Sequence, residues 1–514
     1  MGRERSLSVA LQAALLFGAA AVILLWFHGN RLVFSNDEGI ILDAASRMLR
    51  GQVLYRDFFG YMTPGSYWLQ EAAFRLFGVS QFSGRLIVIL DFSLECALVF
   101  WMTARLAGRK TGFVMAALFF ALQTAPPEFL TAQHRMDSTA LSLASIALAL
   151  EGQRRGQWGW WFAGGIVVSA AALCTPSVAL LAPVTLVWLA FTRPLRRFVL
   201  PYTAGAAAGA LAVLAALWAT GLLLPTIRQM AWLSRNYSAV NYMPYGSLIG
   251  GYGQALGQGQ AAQLALRAAL LLCVALPAVL PVVALAGWTA ALTRSRAERK
   301  WAAEQAIPYL LAAMAVYIAI EYPRADVMHL AFVAPLPYVL AGALVGRHLP
   351  RPLTLGLVLF FGVGAVVFTA HTAGDLLAQV PVRTPAGTLR ASPEDAAALR
   401  TLLAVVGRGE GLYVHPYMPL LYFLTQTANP TSFSYLAPGM MTRQEELTAL
   451  DELRANPPPW ILYLPVSRAE FLRIFPNAGQ LDHRFPALEA WIGQEYKPRN
   501  PSLSLATYQL FTRK

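Results

Sequence analysis

Charge is scarce in this sequence. Only 13% of its 514 residues are Asp, Glu, Lys or Arg, against 57% hydrophobic, and the mean hydropathy is +0.49. A chain of this length needs more charge than that to face water on all sides, so an ordinary soluble globule is excluded and lipid must take up the apolar excess. Cysteine is nearly absent. Cys96, Cys174 and Cys273 each fall in or at the end of an apolar run and read as small buried residues. None falls in residues 372–514, which excludes a disulfide-stapled C-terminal domain. No His/Cys group has zinc-ligand spacing. There is no phosphate loop, no Gly-rich dinucleotide fingerprint and no internal repeat of the kind that marks secondary transporters. Acidic residues are in deficit as well, with 27 Asp+Glu against 40 Lys+Arg and a net charge of +13.

The long hydrophobic runs are what fill the chain. A bilayer core takes about 20 mostly apolar residues per helix. Runs at 7–27, 84–104, 111–125, 137–151, 158–174, 176–191, 198–220, 263–292, 304–321, 327–346 and 353–371 predict an α-helical polytopic membrane protein of about eleven spans. The first run has a basic start but no clear cleavage site before Trp26, and it reads as an uncleaved span rather than a signal peptide. Residues 372–514 mix charge and hydrophobicity as a soluble domain does. They hold 13 of the Lys+Arg and 12 of the Asp+Glu, so residues 1–371 carry +12 of the net +13. The basic balance is therefore a membrane signature, and no nucleic-acid partner is expected.

Every second connection is basic: Arg3/Arg5, Arg105/Arg109/Lys110, Arg154/Arg155, Arg193/Arg196/Arg197, Arg294/Arg296/Arg299/Lys300 and Arg347/Arg351. The positive-inside rule puts these loops and the N-terminus in the cytoplasm. An odd number of spans then leaves 372–514 outside the plasma (inner) membrane. In that tail, 393–407 reads as a helix with Ser392 as N-cap and Pro393 in the first turn. Strand-like runs at 411–415, 460–464 and 504–511, with a helix at 443–455, suggest a small extracytoplasmic α/β sheet.

The first outer loop, 28–83, is too long and too patterned for a linker. Ile41, Ala44, Ala45 and Met48 form an apolar stripe with Asp43, Arg47 and Arg50 opposite, as in a helix lying in the interface. YRDFFGYMTPGSYW (55–68) follows, and a second apolar-faced helix at 66–77 would bring Tyr67 and Trp68 to headgroup level. The loop at 222–262 is rich in Tyr, Gly and Gln. It reads as a flexible loop or as a lid over a groove.

Three polar sets at the outer ends of the spans carry the chemistry. The adjacent carboxylates Asp37 and Glu38 open the first loop. Gln133, His134, Arg135 and Asp137 lie in and after the second. Arg324, Asp326 and His329 lie in YPRADVMHL (322–330). Each has a plainer account: a solvated acid pair or helix N-terminal charge, a polar loop with a capping acid, and a local Arg324–Asp326 ion pair. Arg324 nevertheless stands against the trend of basic inner loops, and a guanidinium fork matches phosphate oxygens.

The ordered set of span, NDEG (36–39), amphipathic helix, YRDFF and PGSYW, with YPRADVMHLAFVAP (322–335) and GLYVHPYMPLLYFLTQTANPTSF (411–433) later, resembles the integral-membrane glycosyltransferases of the GT-C superfamily. It is similar to the protein O-mannosyltransferases and lipid A aminoarabinose transferases, and to the bacterial RgtA/B/C/D-like branch. The resemblance implies a polyprenyl-phosphate sugar donor and a glycan, lipid or protein acceptor at the outer face. It also implies Asp37 as catalytic base, with Glu38 and Asp137 as further acids of the site. Donor-phosphate contacts would fall to Arg324, His329, His134 and Arg135. Arg56, Tyr61, Tyr67 and Trp68 would line the substrate groove. Two lysines common in such enzymes are missing: Met62 stands before PGSYW, and Pro176 follows Thr175.

A lipid phosphate is a good leaving group, so the chemistry needs cations for the phosphate and a carboxylate for the acceptor proton. One-step displacement inverts the anomeric centre. No cofactor is expected. A divalent metal would have to be held by Asp37, Glu38 or Asp137, and no ligand spacing supports one. The competing class is a transporter or flippase of lipid-linked sugars, which would show repeats and ionisable groups near the midplane. A membrane scaffold presenting the outer domain is the third, and the patterned first loop speaks against it.

Overall fold

The structure, a computed structural model, describes residues 8–499, 503–505 and 507–514. Arg3 and Arg5 of the first basic segment lie outside these residues. Among the described residues five helices are long and apolar enough to cross a membrane: Val9–His28, Gln81–Ala107, Arg193–Ala219, Leu276–Arg294 and Arg351–Ala378. The pair Arg296–Glu304 and Ile307–Ile320, bent by 69° at its break, would make a sixth. The other hydrophobic runs form shorter or more polar helices packed into the same bundle. Trp158–Cys174, Pro176–Phe191 and Ala261–Val274 are too short to span alone by length. The run read as 263–292 is divided between Ala261–Val274 and Leu276–Arg294. His134–Arg155 keeps Ser138, Thr139, Ser142 and Ser145 buried inside the bundle, where Ser142 meets Tyr317 Oη at 2.7 Å. The chain is thus a multi-pass, mostly helical membrane protein.

His134–Arg155 also orients the bundle. Its first turn carries the second polar set. Its last turns carry Glu151, which gathers Arg154, Arg155 and, at 3.4 Å, Arg105. Fourteen residues of helix separate Asp137 from Glu151, about 21 Å at 1.5 Å per residue. Basic loops and polar sets therefore occupy opposite ends of the bundle.

Beyond Ala378 a hairpin pairs β1 (Val380–Thr384) with β2 (Gly387–Ala391). The helix Pro393–Val405 follows, and Ser392 Oγ accepts from Asp395 N at 3.1 Å. A small sheet is then built from β3 (Leu412–His415), β4 (Trp460–Tyr463), β5 (Tyr496–Pro498), β6 (Ser504–Leu505) and β7 (Tyr508–Arg513). Its order is β3-β4-β7-β5, with β6 also on β7. Only β3–β4 is parallel, joined through the helix Arg443–Ala455.

The tail and the first outer loop share one core. Ile41, Leu42, Ala45, Phe58, Tyr67 and Phe74 pack with Leu389, Leu399, Val414, Leu421 and Leu510. This alters two expectations. The helix Asn36–Leu49 does not turn its polar face to headgroups, because the tail covers it: Asp43 accepts from Ser434 Oγ at 2.5 Å and Arg47 donates to the same Oγ at 2.9 Å. Burial pushes the Asp43 carboxyl up, while Arg47 and Ser434 pull it back. Tyr67, on the helix Pro64–Phe77, is buried at 1% exposure rather than standing at headgroup level, and Trp68 is half-buried. The segment 222–262 is not a plain loop: it forms the helix Leu223–Asn241, with short turns after it.

Candidate active site

The helix Asn36–Leu49 begins where Ser35 Oγ accepts from Glu38 N at 3.3 Å. Asp37 and Glu38 therefore share its first turn, where the free N–H groups favour negative charge. Adjacent helical positions point about 100° apart, so the two acids diverge. Glu38 is fully buried, clasped by Arg85 through Nε to Oε1 and through Nη2 to Oε2 at 2.8 Å. Asp37 is exposed at the wall of a cavity of roughly 670 Å3. Among the described residues its carboxylate has no hydrogen-bond or ion-pair partner.

Two glycines bring the walls together. A Cβ on Gly39 would lie 2.1 Å from Leu420 N, so NDEG needs its glycine to let the tail helix Leu420–Thr425 seat on the first turn. A Cβ on Gly65 would lie 2.7 Å from the Leu173 carbonyl. That approach sets PGSYW against the end of Trp158–Cys174, where Thr63 Oγ1 donates to Cys174 O at 3.1 Å. Thr175, just beyond, lies 2.8 Å from His134 Nδ1.

The cavity collects Asp37, Tyr61, Gln133, His134, Arg135, Arg324 and His329 from three segments that meet at one end of the bundle. Arg135 pairs with the buried Glu321 at 2.7 Å. Arg324 Nε donates to Asp326 Oδ2 at 2.9 Å, and His329 Nδ1 lies 3.0 Å from Asp326 Oδ1. Burial alone would raise the Asp326 carboxyl. The His329 hydrogen bonds and the Arg324 charge outweigh it and hold the group below the usual carboxylate range. Met62, Thr175 and Pro176 line the same cavity, so the positions where lysines were expected are in the wall but uncharged. The lining also includes the apolar side chains of Leu180, Met230, Leu233, Ile320 and Met328.

Four other expected residues stay outside. Arg56 is exposed and paired to Asp57 at 2.7 Å. Tyr67 and Trp68 pack in the shared core. Asp137 is buried beside Asp91 and Ser66 rather than lining the cavity. With Glu38 held by Arg85 and Asp137 turned inward, Asp37 is the one carboxylate of the three expected there that lines the cavity; Glu128, which the sequence reading did not single out, lines it too. Among the described residues no three His, Cys, Asp or Glu side chains are grouped as metal ligands. Sequence reasoning missed Tyr237 and Asn241 on Leu223–Asn241, and Tyr417, Tyr435 and Phe475 from the tail, all in the cavity wall. The segments of Tyr237, Asn241 and Tyr417 stood out in the sequence as a possible lid and a motif, but the individual residues did not, because they reach the site through tertiary packing.

Comparison with known proteins bears on what this cavity serves. Residues 62–218 match the family model for dolichyl-phosphate-mannose-protein mannosyltransferase, PMT_2. No curated protein matches the sequence. ArnT from Cupriavidus metallidurans in the apo state superposes over 98% of both chains, with a TM-score of 0.56 and 15% identity. The chain shares the fold of ArnT, and its residues 62–218 are similar to the PMT_2 family. The Archaeoglobus fulgidus oligosaccharyltransferase, in complex with Zn and sulfate, has the same fold at a TM-score of 0.52 and 12% identity, covering 88% of this chain and 67% of that one. A second ArnT structure, bound to undecaprenyl phosphate, aligns over 72% of this chain and 65% of that one at 20% identity and a TM-score of 0.43.

Proposed function

We propose that the protein moves a sugar from a polyprenyl-phosphate donor to an acceptor hydroxyl, with inversion, in the cavity of Asp37. One observation carries this reading: an exposed carboxylate with no hydrogen-bond or ion-pair partner among the described residues shares a single cavity with Arg324, His329, His134 and Arg135. The family match and the fold supply the class of reaction. In this mechanism Asp37 accepts the proton of the acceptor hydroxyl. The freed oxygen pair bonds to the anomeric carbon as the bond from that carbon to the phosphate oxygen breaks. The phosphate leaves with the electron pair, held by the Arg324 fork and Arg135, with the His134 and His329 rings as hydrogen-bonding neighbours. Met62 and Pro176 supply no charge, so Arg324 and Arg135 take the place of the missing lysines. Leu180, Met230 and Leu233 suit the prenyl chain, since a lipid tail needs an apolar flank beside its phosphate. Glu38 and Asp137 act from outside the cavity, Glu38 by fixing the helix that carries Asp37. The acceptor class, whether glycan, lipid or protein, is set by what enters beside Asp37.

The test is transfer by the purified protein from a panel of polyprenyl-phosphate sugars, read as release of free polyprenyl phosphate. Turnover with at least one donor is expected, and silence across the panel with every acceptor class contradicts the reading.

On the same proposal residues 1–371 form the catalytic membrane domain and 372–514 an outer domain, with the N-terminus cytoplasmic in the inner membrane. The native cysteines are all buried, so an impermeant thiol reagent has a low background. Arg408→Cys, at an exposed tail position, is expected to label from outside and Arg155→Cys only after permeabilisation. The reverse pattern would overturn the orientation.

A further inference from the structure

Arg324 is held from three directions, and one of them comes from near the far end of the chain. Nε donates to Asp326 and Nη1 donates to Asn241 Oδ1 at 3.2 Å. Against the guanidinium lies the ring of Phe475, whose centroid is 5.2 Å from Cζ. Phe475 follows the short tail helix Arg468–Ile474 and lines the same cavity as Asp37.

The ring is itself braced. It sits 5.2 Å from the ring of Phe471, which is 1% exposed and packs with Val240 and Ala478. Hydrogen bonds extend the brace in both directions. Asn477 Nδ2 donates to Tyr242 O at 3.0 Å. Met243 N donates to Pro323 O at 2.9 Å, Gly246 N to Ala325 O at 2.7 Å and Val327 N to Ser247 O at 2.9 Å. Residues 240–247 are thus stitched on one side to the loop of Arg324 and on the other to 471–478.

We infer that Phe475 is a positioning residue for the phosphate subsite, fixing the plane of the Arg324 guanidinium so that its remaining N–H donors are presented to the cavity. The inference rests on the assignment of Arg324 to the donor phosphate. A guanidinium has five N–H donors, and Asp326 and Asn241 occupy two of them, leaving three for a ligand. Stacking on an aromatic face favours one plane of the fork, because rotation loses the attraction of the ring quadrupole. A fork fixed before binding loses less conformational freedom when the phosphate arrives. The C-terminal tail is therefore a working part of the membrane site.

The test uses the full-length purified protein and undecaprenyl phosphate as probe, with thermal unfolding followed alongside. Phe475→Leu keeps the apolar bulk and removes the quadrupole. It is expected to weaken binding by about three- to ten-fold, the size of a partly desolvated cation–π contact. Phe475→Tyr is expected to restore near-normal binding. In an Arg324→Ala background, Phe475→Leu is expected to add nothing. Normal binding by Phe475→Leu, a loss that Phe475→Tyr does not rescue, or a loss that persists in full beside Arg324→Ala overturns the inference. Each of these leaves the phosphate assignment standing if Arg324→Ala alone is impaired. Normal binding by Arg324→Ala overturns the assignment and the inference together.

Discussion

Asp37→Asn is expected to lower turnover by about 10²–10⁴-fold, the usual contribution of a positioned general base, while the protein still folds and still binds a polyprenyl phosphate. The substitution keeps the size of the side chain and its place in the first turn of Asn36–Leu49. It removes a carboxylate that, among the described residues, makes no hydrogen bond or ion pair, so no structural contact is broken. A structural acid would behave differently: losing its charge would orphan a cation. Steady-state turnover and thermal unfolding measured on the same preparation separate the two. A variant with near-normal turnover ends the assignment of Asp37 as base.

The neighbouring acid is expected to give the opposite phenotype. Glu38→Ala leaves the Arg85 guanidinium buried at 0% exposure with its carboxylate gone. Breaking a buried ion pair from one side costs about 3–5 kcal/mol, enough to consume much of a typical folding free energy. Arg85 also reaches the His28 carbonyl at 3.3 Å, and Ala132 N donates to Glu38 Oε1 at 3.4 Å. The pair thus ties the first span, the helix of Asp37 and the second polar loop together. Glu38→Ala and Arg85→Ala should both reduce the yield of monodisperse protein and its unfolding temperature. Replacing both partners by Leu and Met should recover most of the stability, since apolar isosteres of buried pairs are often neutral or better. Single variants as stable as the parent would mean that the pair fixes nothing.

That contrast defines what the sequence made legible. Hydropathy and the alternation of basic loops revealed a polytopic membrane protein, because lipid demands long apolar runs and a charge bias between its faces. The ordered motifs carried a resemblance to the GT-C glycosyltransferases that the PMT_2 match over 62–218 and the ArnT-like fold support, and Asp37, His134, Arg135, Arg324 and His329 do meet in one cavity. The resemblance singled out Asp37 as base but kept Glu38 in the site, since what takes Glu38 out of it is Arg85, a partner 47 positions away on another helix. Asp43 and Arg47 looked like a wet helix face because the tail that buries them begins over 300 residues later. Phe475 and Tyr435 were invisible for the same reason. Span counting suffered where short helices such as Trp158–Cys174 are completed by packing rather than by length.

The central claim is that the cavity of Asp37 holds a lipid phosphate through Arg324, and one binding measurement tests it most directly. Undecaprenyl phosphate and the uncharged undecaprenol are titrated against the purified wild-type protein, Asp37→Asn, Arg324→Ala and Arg324→Lys. The expected result is preference for the phosphate in the wild type and in Asp37→Asn. Arg324→Ala should weaken phosphate binding by about ten-fold or more, in keeping with about 1.5–3 kcal/mol for a charge-assisted hydrogen bond. Arg324→Lys should recover part of that, because a point charge replaces a two-pronged fork. Equal binding of phosphate and alcohol by the wild type, or full phosphate binding by an Arg324→Ala protein that has merely lost stability, would contradict the account and reduce Arg324 to the ion-pair partner of Asp326.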